Sequence, residues 1–499
     1  MQRNNLGDIT DRRHFDNLAL IDLHGGRERR LTFEQIHNMA DAVAQRLTEE
    51  GLDRGASVAI LSANRAEYVI AYLGIMRAGF VAVPINIKQP DDVVTLMLSD
   101  CEAAFAFVDT DNRARLPAAL PFVDFDVDDG PAAWRNITPA FFRTVEMDED
   151  EIAQILYTSG STGRPKGVML THSGQLWALD IRAAPVASTE RYIVAQPLFH
   201  MNGIFGIKTA FAAGASTVLL PRFTAESYVE AIVRYQVAEI IAIPTMFARI
   251  LRNPTFDDVD FSHVTKMMLG SSPITDGLVA RLRDRFPNAL FANGYGTTEG
   301  GPAIFGPHPD GRAAPGTSVG YPLFPEQVKL VDGPSDDEGV LAMKNPAVMA
   351  GYKNLEDKTA AVLKDGWYIS GDVMRRDEDG FYYFAGRSDD MFVCSGENIY
   401  PDDVALMLER HPQVRQAAVV PMPDEERGAV PVAFLVAADS AAPSFSDIRT
   451  FALANGPGYQ HPRRVAFVPD LPVTVTNKID RRALIAKAAE LERSGTWTA

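Results

Sequence analysis

The stretch YTSGSTGRPKGVML, Tyr157 to Leu170, decides how the rest of the chain is read. An apolar strand signal (Ile152, Ile155, Leu156) runs into a Ser/Thr/Gly loop, which leaves through Arg164, Pro165, Lys166 and Gly167 into a second apolar run. Gly160, Gly163 and Gly167 allow positive φ and close approach of a ligand to the backbone. Thr158, Ser159, Ser161 and Thr162 supply hydroxyls, and Lys166 supplies a cation. Such a loop suits a polyphosphate, although a Ser/Gly stretch standing alone reads equally well as a flexible turn. A Walker-type loop needs Gly-Lys, then Ser or Thr, then a helix. Here Lys166-Gly167 is followed by Val168, Met169 and Leu170, so that reading fails.

Upstream of the loop, helix and strand signals alternate. Thr32 with Gln35 forms a capping box, Ile36, Met39, Ala40, Val43 and Leu47 recur at helical spacing, and Gly51 stops the helix. A strand (VAILSANR), an apolar helix ending at Gly79 and a strand (FVAVPIN) follow, and the pattern continues through AAFAFVD. This predicts a parallel sheet covered on both faces. Residues 109–150, rich in Asp, Pro and Ala, read as surface connection. Downstream, strands and helices alternate again, and MMLGSSPIT and FANGYGTTEGG are strands ending in polar, glycine-bearing turns, where ligands of open α/β sheets collect. Residues 310–386 read as short strands of a small antiparallel barrel or meander. From GRSDD onward the chain reads as a compact α+β unit. The expected fold class is thus α/β: a large N-terminal domain (1–386) with two parallel-rich sheets and a small β-barrel, a boundary at 387–389, and a small α+β domain over 390–499.

The 499 residues exceed one ordinary core, and a prior of about 150 residues per domain suggests two to four lobes. A net charge of -17 argues against nucleic acid or an anionic membrane as partner. Cys101 and Cys394, the only two cysteines, are far apart, so no disulfide framework or thiolate metal cluster is expected. The polar N-terminus reads as no signal peptide, and no stretch of about 18 apolar residues suggests a membrane span. A cytoplasmic enzyme, monomer or homodimer, is the expectation.

Tyr157–Gly167, NGYGTTE (293–299), WYISGD (367–372), GRSDD (386–390) and NKIDR (477–481) together resemble the core motifs of the adenylate-forming acyl-CoA synthetase superfamily, in order and spacing along the whole chain. The resemblance implies an acid-thiol ligase that uses ATP, Mg and CoA: a carboxylate attacks the α-phosphate, and a thiol then takes the acyl group from the adenylate. It implies Lys478 as the catalytic lysine, with Asn477 where the family commonly has Gly, a substitution that a left-handed turn tolerates. Glu299 and Thr158 would be magnesium ligands, and Thr297 and Thr298 would hold the α-phosphate and carboxylate. Ser159 to Gly163 and Lys166 would hold the outer phosphates. Tyr295, within Asn293-Gly294-Tyr295-Gly296, and Ser271, Ser272 and Pro273 would border adenine, and Asp372 with Arg387 would hold the ribose.

The same resemblance places the acyl pocket at His200, Met201, Asn202, Phe205, Met246, Phe247, Gly270, Gly294 and Gly301, with His200 as a gate. Asp389 would be a hinge, and Ser395, Gly396, Glu397 and Asn398 would line the CoA channel. PLFHMNGIFG lacks the aspartate that pairs an α-ammonium, so an aryl, arylpropenoic or medium-chain acid is expected rather than an amino acid. Lys208 could reach a polar tail on the substrate, but a solvated lysine is the simpler reading. A stand-alone adenylation protein that loads a carrier, and a non-catalytic acyl- or nucleotide-binding relative, are the alternatives.

Overall fold

The computed structural model describes residues 3–158, 164–270, 274–395, 397–424, 426–438, 442–474 and 478–497, with Asn398 by its backbone alone. Two seven-stranded sheets form its body. The first runs Gly351–Tyr352, Lys166–Thr171, Ile152–Thr158, Val81–Pro84, Ser57–Leu61, Phe105–Val108 and Phe122–Asp124. Its strands are parallel except at the Gly351–Tyr352 edge, where the phosphate-loop hairpin turns back on itself. The second runs Leu290–Gly294, Lys266–Gly270, Glu239–Ala242, Arg191–Val194, Ser216–Leu219, Leu18–Asp22 and Arg29–Thr32, parallel except for its last strand.

Helices fill the space between the sheets. Ala66–Arg77 is buried along its full length, as an all-round apolar sequence requires. The core around it joins Val58, Ile60 and Ala153 of the first sheet to Leu20, Val194 and Leu219 of the second, through Tyr72 and Phe211. The helix Phe33–Glu49 starts with the expected capping box: Thr32 Oγ1 accepts from Gln35 N, and Gln35 Oε1 from Thr32 N. Such a cap contributes about 1 kcal/mol.

Two expectations change. Residues 109–150 are more than a connection, because Phe122–Asp124 joins the first sheet alongside Phe105–Val108. The barrel over 310–386 is an open antiparallel sheet: Val328–Ser335, Glu338–Met343 and Trp367–Arg376, with Leu363–Lys364 and Tyr382–Arg387 sharing the far edge of the last. Among the described residues no pairing joins its two edges. Beyond it, five strands with Gly428–Ala437 at the centre and the helices Pro401–Glu409, Phe445–Asn455 and Arg481–Ser494 bury a core of their own, from Cys394 to Ala488. Both cysteines are free and buried. No described helix is long and apolar enough to cross a membrane.

His172, at the head of the helix His172–Ala183, is fully buried, and its Nδ1 accepts from Leu6 N at 2.9 Å. Burial lowers its pKa from 6.5 to about 4. As pH falls through this window the unfolded chain binds the proton first, so stability is lost, on the order of 1.4 kcal/mol per pH unit for one such group. Urea midpoints measured from pH 7 to 4 are expected to fall, and to fall less steeply in His172→Gln, which cannot ionise.

Candidate active site

The C-terminal ends of both sheets, the open antiparallel sheet and the C-terminal unit surround one cleft of about 3450 Å³. The hairpin from the opening stretch forms one wall. Thr158 and Lys166 face each other across it in register, with Ser159 to Gly163 outside the described residues. Thr158 Oγ1 lies 3.4 Å from Glu299 Oε1, which also accepts from the Tyr352 hydroxyl at 3.1 Å. Lys166 Nζ is 3.2 Å from that hydroxyl and 4.3 Å from the Tyr352 ring centre. Burial lowers the Lys166 pKa, against the pull of Glu299. Tyr352 thus couples the loop lysine to the acidic residue, a role that the sequence reading missed. It arrives on the two-residue edge strand Gly351–Tyr352, which no periodicity announces.

On the opposite side Asp372 sits in register with Arg387, whose Nη1 donates to its Oδ1 at 2.9 Å. The Tyr295 hydroxyl donates to the other carboxylate oxygen. Asp372 is 6 % exposed, and burial raises its pKa despite both donors. Its guanidinium partner also reaches Asp389, with Nε 2.8 Å from Oδ1. Tyr295 packs edge-on against Phe305, with its ring centre 5.8 Å away. The Thr297 hydroxyl caps its own turn by accepting from Gly300 N at 2.8 Å, and both Thr297 and Thr298 line the cleft.

Lys478 enters from the C-terminal unit. It leaves a short turn where Val473 bridges Ile479 and Thr474 N donates to Lys478 O at 2.7 Å. Asn477 and the Ser271 to Pro273 turn lie outside the described residues. The lysine side chain lines the cleft, open to water within it yet ringed by protein. Burial lowers its pKa, while the Asp372 and Glu299 carboxylates raise it. The sequence motifs, up to 320 residues apart, therefore meet around one cavity: Thr158, Lys166, Glu299, Asp372, Arg387 and Lys478 all line it.

His200 stands at the N-terminus of the helix Met201–Ala212. Burial, with the Lys478 ammonium acting in the same direction, lowers its pKa to about 4, so it is neutral at pH 7. Among the described residues its buried Nε2 has no hydrogen-bond partner. Met201, Asn202, Phe205, Met246, Gly270 and Gly294 line the cleft beside it, as do Asn293 and Gly296. Phe247 does not: it is fully buried, edge-on to Phe286 at 5.5 Å between ring centres. Gly301, with φ +86°, is also buried off the cleft, and a side chain there would meet Ala347.

Ser395 and Glu397 lie on the exposed tip of the hairpin Phe392–Cys394/Glu397–Ile399, off the cleft wall. Gly396 and the Asn398 side chain lie outside the described residues. Lys208 is not solvated: it is 1 % exposed, its Nζ donates to Gln175 Oε1 at 3.1 Å, and burial lowers its pKa to about 7. The apolar run GIFGIKTAFAA around it carried the signal, since a helix apolar on all sides buries whatever it holds.

Comparison with known proteins fits this geometry. Residues 8–353 match the model of the AMP-binding enzyme family, and residues 404–478 match that of the AMP-binding enzyme C-terminal domain. A feruloyl-CoA synthase of Amycolatopsis is 32 % identical over 475 residues, covering 91 % of this chain and 93 % of its own. The fatty acid–[acyl-carrier-protein] ligase ScoC of Streptomyces coeruleorubidus is 31 % identical over 485 residues, covering 91 % of each. Among solved structures, the anthranilate CoA ligase AuaEII in complex with anthranoyl-AMP superposes with a TM-score of 0.88 at 27 % identity, over 98 % of both chains. With its two matched models following one another along the sequence and its motif residues gathered on one cleft, the chain belongs to the AMP-binding enzyme family, whose members include CoA ligases and an acyl-carrier-protein ligase.

Proposed function

We propose that the protein joins an aryl or arylpropenoic acid to CoA in two half-reactions in this cleft. In the first, a carboxylate oxygen attacks the α-phosphorus of ATP, and the bond to the β-phosphate oxygen breaks, giving acyl-AMP and pyrophosphate. Both reactants are anions, so the protein must position them and neutralise their charge. Lys478 bridges carboxylate and α-phosphate, Thr298 assists, Lys166 and its loop hold the outer phosphates, and Asp372 with Arg387 accepts and orients the ribose hydroxyls. In the second, the CoA thiol attacks the acyl carbonyl and AMP leaves, its phosphate taking the bonding electrons.

Glu299 and Thr158 are the residues that would hold magnesium. One carboxylate and one hydroxyl suit an ion that binds through a few hard oxygens and keeps phosphate and water as its other ligands. When bound, the ion neutralises phosphate charge. No described group of three or more His, Cys, Asp or Glu side chains forms an all-protein cage, which this mode of binding does not need.

The observation carrying the reading is the convergence of Lys478, Asp372, Glu299 and Lys166 on one cavity from four separate segments. Aryl substrates are favoured by the feruloyl and anthranilate relatives and by Met201, Phe205 and Met246 in the wall. The relative that acylates a carrier protein favours a second reading, a carrier-loading ligase. ATP–pyrophosphate exchange with a panel of aromatic, arylpropenoic and medium-chain acids tests the first half-reaction. Exchange greatest with an aromatic acid, followed by thioester on adding CoA, is expected. Exchange without thioester favours the carrier, and no exchange with any acid contradicts both.

A further inference from the structure

The helix His172–Ala183 carries Arg182 in its last turn, and that residue lines the cleft. The helix packs against Met201–Ala212, whose Met201, Phe205 and Thr209 line the acyl side of the cleft. Arg182 Nε and Nη2 donate to Pro302 O at 3.1 and 2.7 Å, and Nη2 donates also to Phe305 O at 3.0 Å. Pro302 lines the cleft too, four residues beyond Thr298, which assists at the reacting carboxylate in the reading above. The guanidinium therefore borders the acyl pocket, held to the chain segment that leaves its reacting end.

A guanidinium carries five N–H donors and a permanent charge. Here two backbone carbonyls take the Nε and Nη2 edge, and Nη1 donates to no group among the described residues. Burial lowers the pKa to about 10 and no neighbouring charge acts on it, so the group is cationic at pH 7 with no carboxylate beside it. Arg65 and Arg77, buried elsewhere in the body, each meet a carboxylate instead, Glu67 at 2.8 Å and Asp41 at 2.6 Å. Buried charges are normally paired, and carbonyl dipoles leave a full positive charge unmatched. The helix C-terminus favours a cation, and the two carbonyls tie down the 302–305 turn, but neither supplies a counter-ion.

Resting on the ligase reading above, we propose that Arg182 sets the substrate class by binding a second carboxylate, carried by the aryl acid away from the one that is adenylated. An acyl group of hydrocarbon alone would strip water from the guanidinium and leave its charge unmatched. A carboxylate replaces that water with a charge-assisted hydrogen bond to Nη1. A neutral carbonyl would satisfy the N–H but not the charge. A substrate ammonium would meet a like charge, which agrees with the absence of an aspartate from PLFHMNGIFG.

Matched acids test the proposal by ATP–pyrophosphate exchange: an aromatic acid, the same acid bearing a second carboxylate at the meta position, the para position or the end of a short side chain, and each diacid with that second group as its carboxamide. With the wild-type protein at least one diacid is expected to exceed both its parent and its amide by about 10- to 100-fold in kcat/KM, chiefly through KM. Arg182→Gln is expected to bring the ratio of diacid to parent close to one, and Arg182→Lys, which keeps the charge, to retain part of it. The wild-type comparison stands whether or not Arg182→Gln folds. No diacid better than its parent, an amide as good as its diacid, or a preference unchanged in Arg182→Gln overturns the proposal and leaves the ligase reading standing. Exchange absent with every acid overturns the ligase reading itself.

Discussion

Lys478→Ala is expected to lower ATP–pyrophosphate exchange by roughly 10²- to 10³-fold or more, the cost of removing one group that stabilises charge developing in the transition state. The residue stands where the carboxylates of Asp372 and Glu299 act on its ammonium and where its charge depresses the pKa of His200. It is therefore positioned between the motif residues of the body and the acyl end of the cleft. Because the residue is exposed and its side chain makes no hydrogen bond with the described residues, the folded state should tolerate its loss, with the thermal midpoint close to wild type. Lys478→Arg keeps the charge but changes its shape and is expected to recover only part of the activity. Exchange within a few-fold of wild type in Lys478→Ala would show that the lysine does not serve adenylation.

Asp389→Pro is expected to separate the half-reactions, slowing thioester formation by about 10- to 100-fold while leaving pyrophosphate exchange within about 2-fold, because proline fixes φ where a hinge must change it. The reason lies in what the present arrangement serves. Lys478 is in the cleft, whereas Ser395 and Glu397, proposed to line the CoA channel, are at an exposed tip away from it. If they line that channel, as the family resemblance implies, serving the thiol step requires the C-terminal unit to turn. Its contacts with the body are of a kind that can be exchanged: Arg375 Nη2 meets Asp403 Oδ2 at 2.6 Å, and Arg252 Nη1 meets Asp470 Oδ1 at 3.0 Å. Polar interfaces of this sort permit domain motion. Asp389 also pairs with Arg387, so Asp389→Ala, which loses the ion pair without fixing φ, is the control. Thioester formation impaired equally by proline and alanine would assign the residue to holding Arg387 rather than to a hinge.

How much was legible in the sequence depended on the range of each interaction. The hairpin at Ile152–Thr158 and Lys166–Thr171, the capped helix at Thr32 and the strand-turn pairs ending at Gly270 and Gly294 follow from local periodicity and turn chemistry. The convergence of Lys478 with Asp372 and Glu299 followed only from resemblance, since nothing local relates them. Tyr352 was invisible because its pairing with Val168 is a long-range contact of a two-residue strand. The barrel was misjudged for a related reason: short strands between Gly and Pro turns do not reveal whether a sheet closes, which depends on tilt and stagger over all of them. Phe247, which the resemblance assigns to the pocket together with Met246, turns into the core, because adjacent positions on a helix face different ways.

The central claim is that this cleft makes an acyl-adenylate before it makes a thioester. Incubating the protein with ATP, magnesium and an aromatic acid, without CoA, and analysing the bound species by mass spectrometry tests it directly. The account predicts acyl-AMP at near one per chain, with pyrophosphate as the released product, and its conversion to AMP and acyl-CoA when CoA is added. Release of ADP and phosphate, or a thioester formed with no adenylate preceding it, would contradict the account.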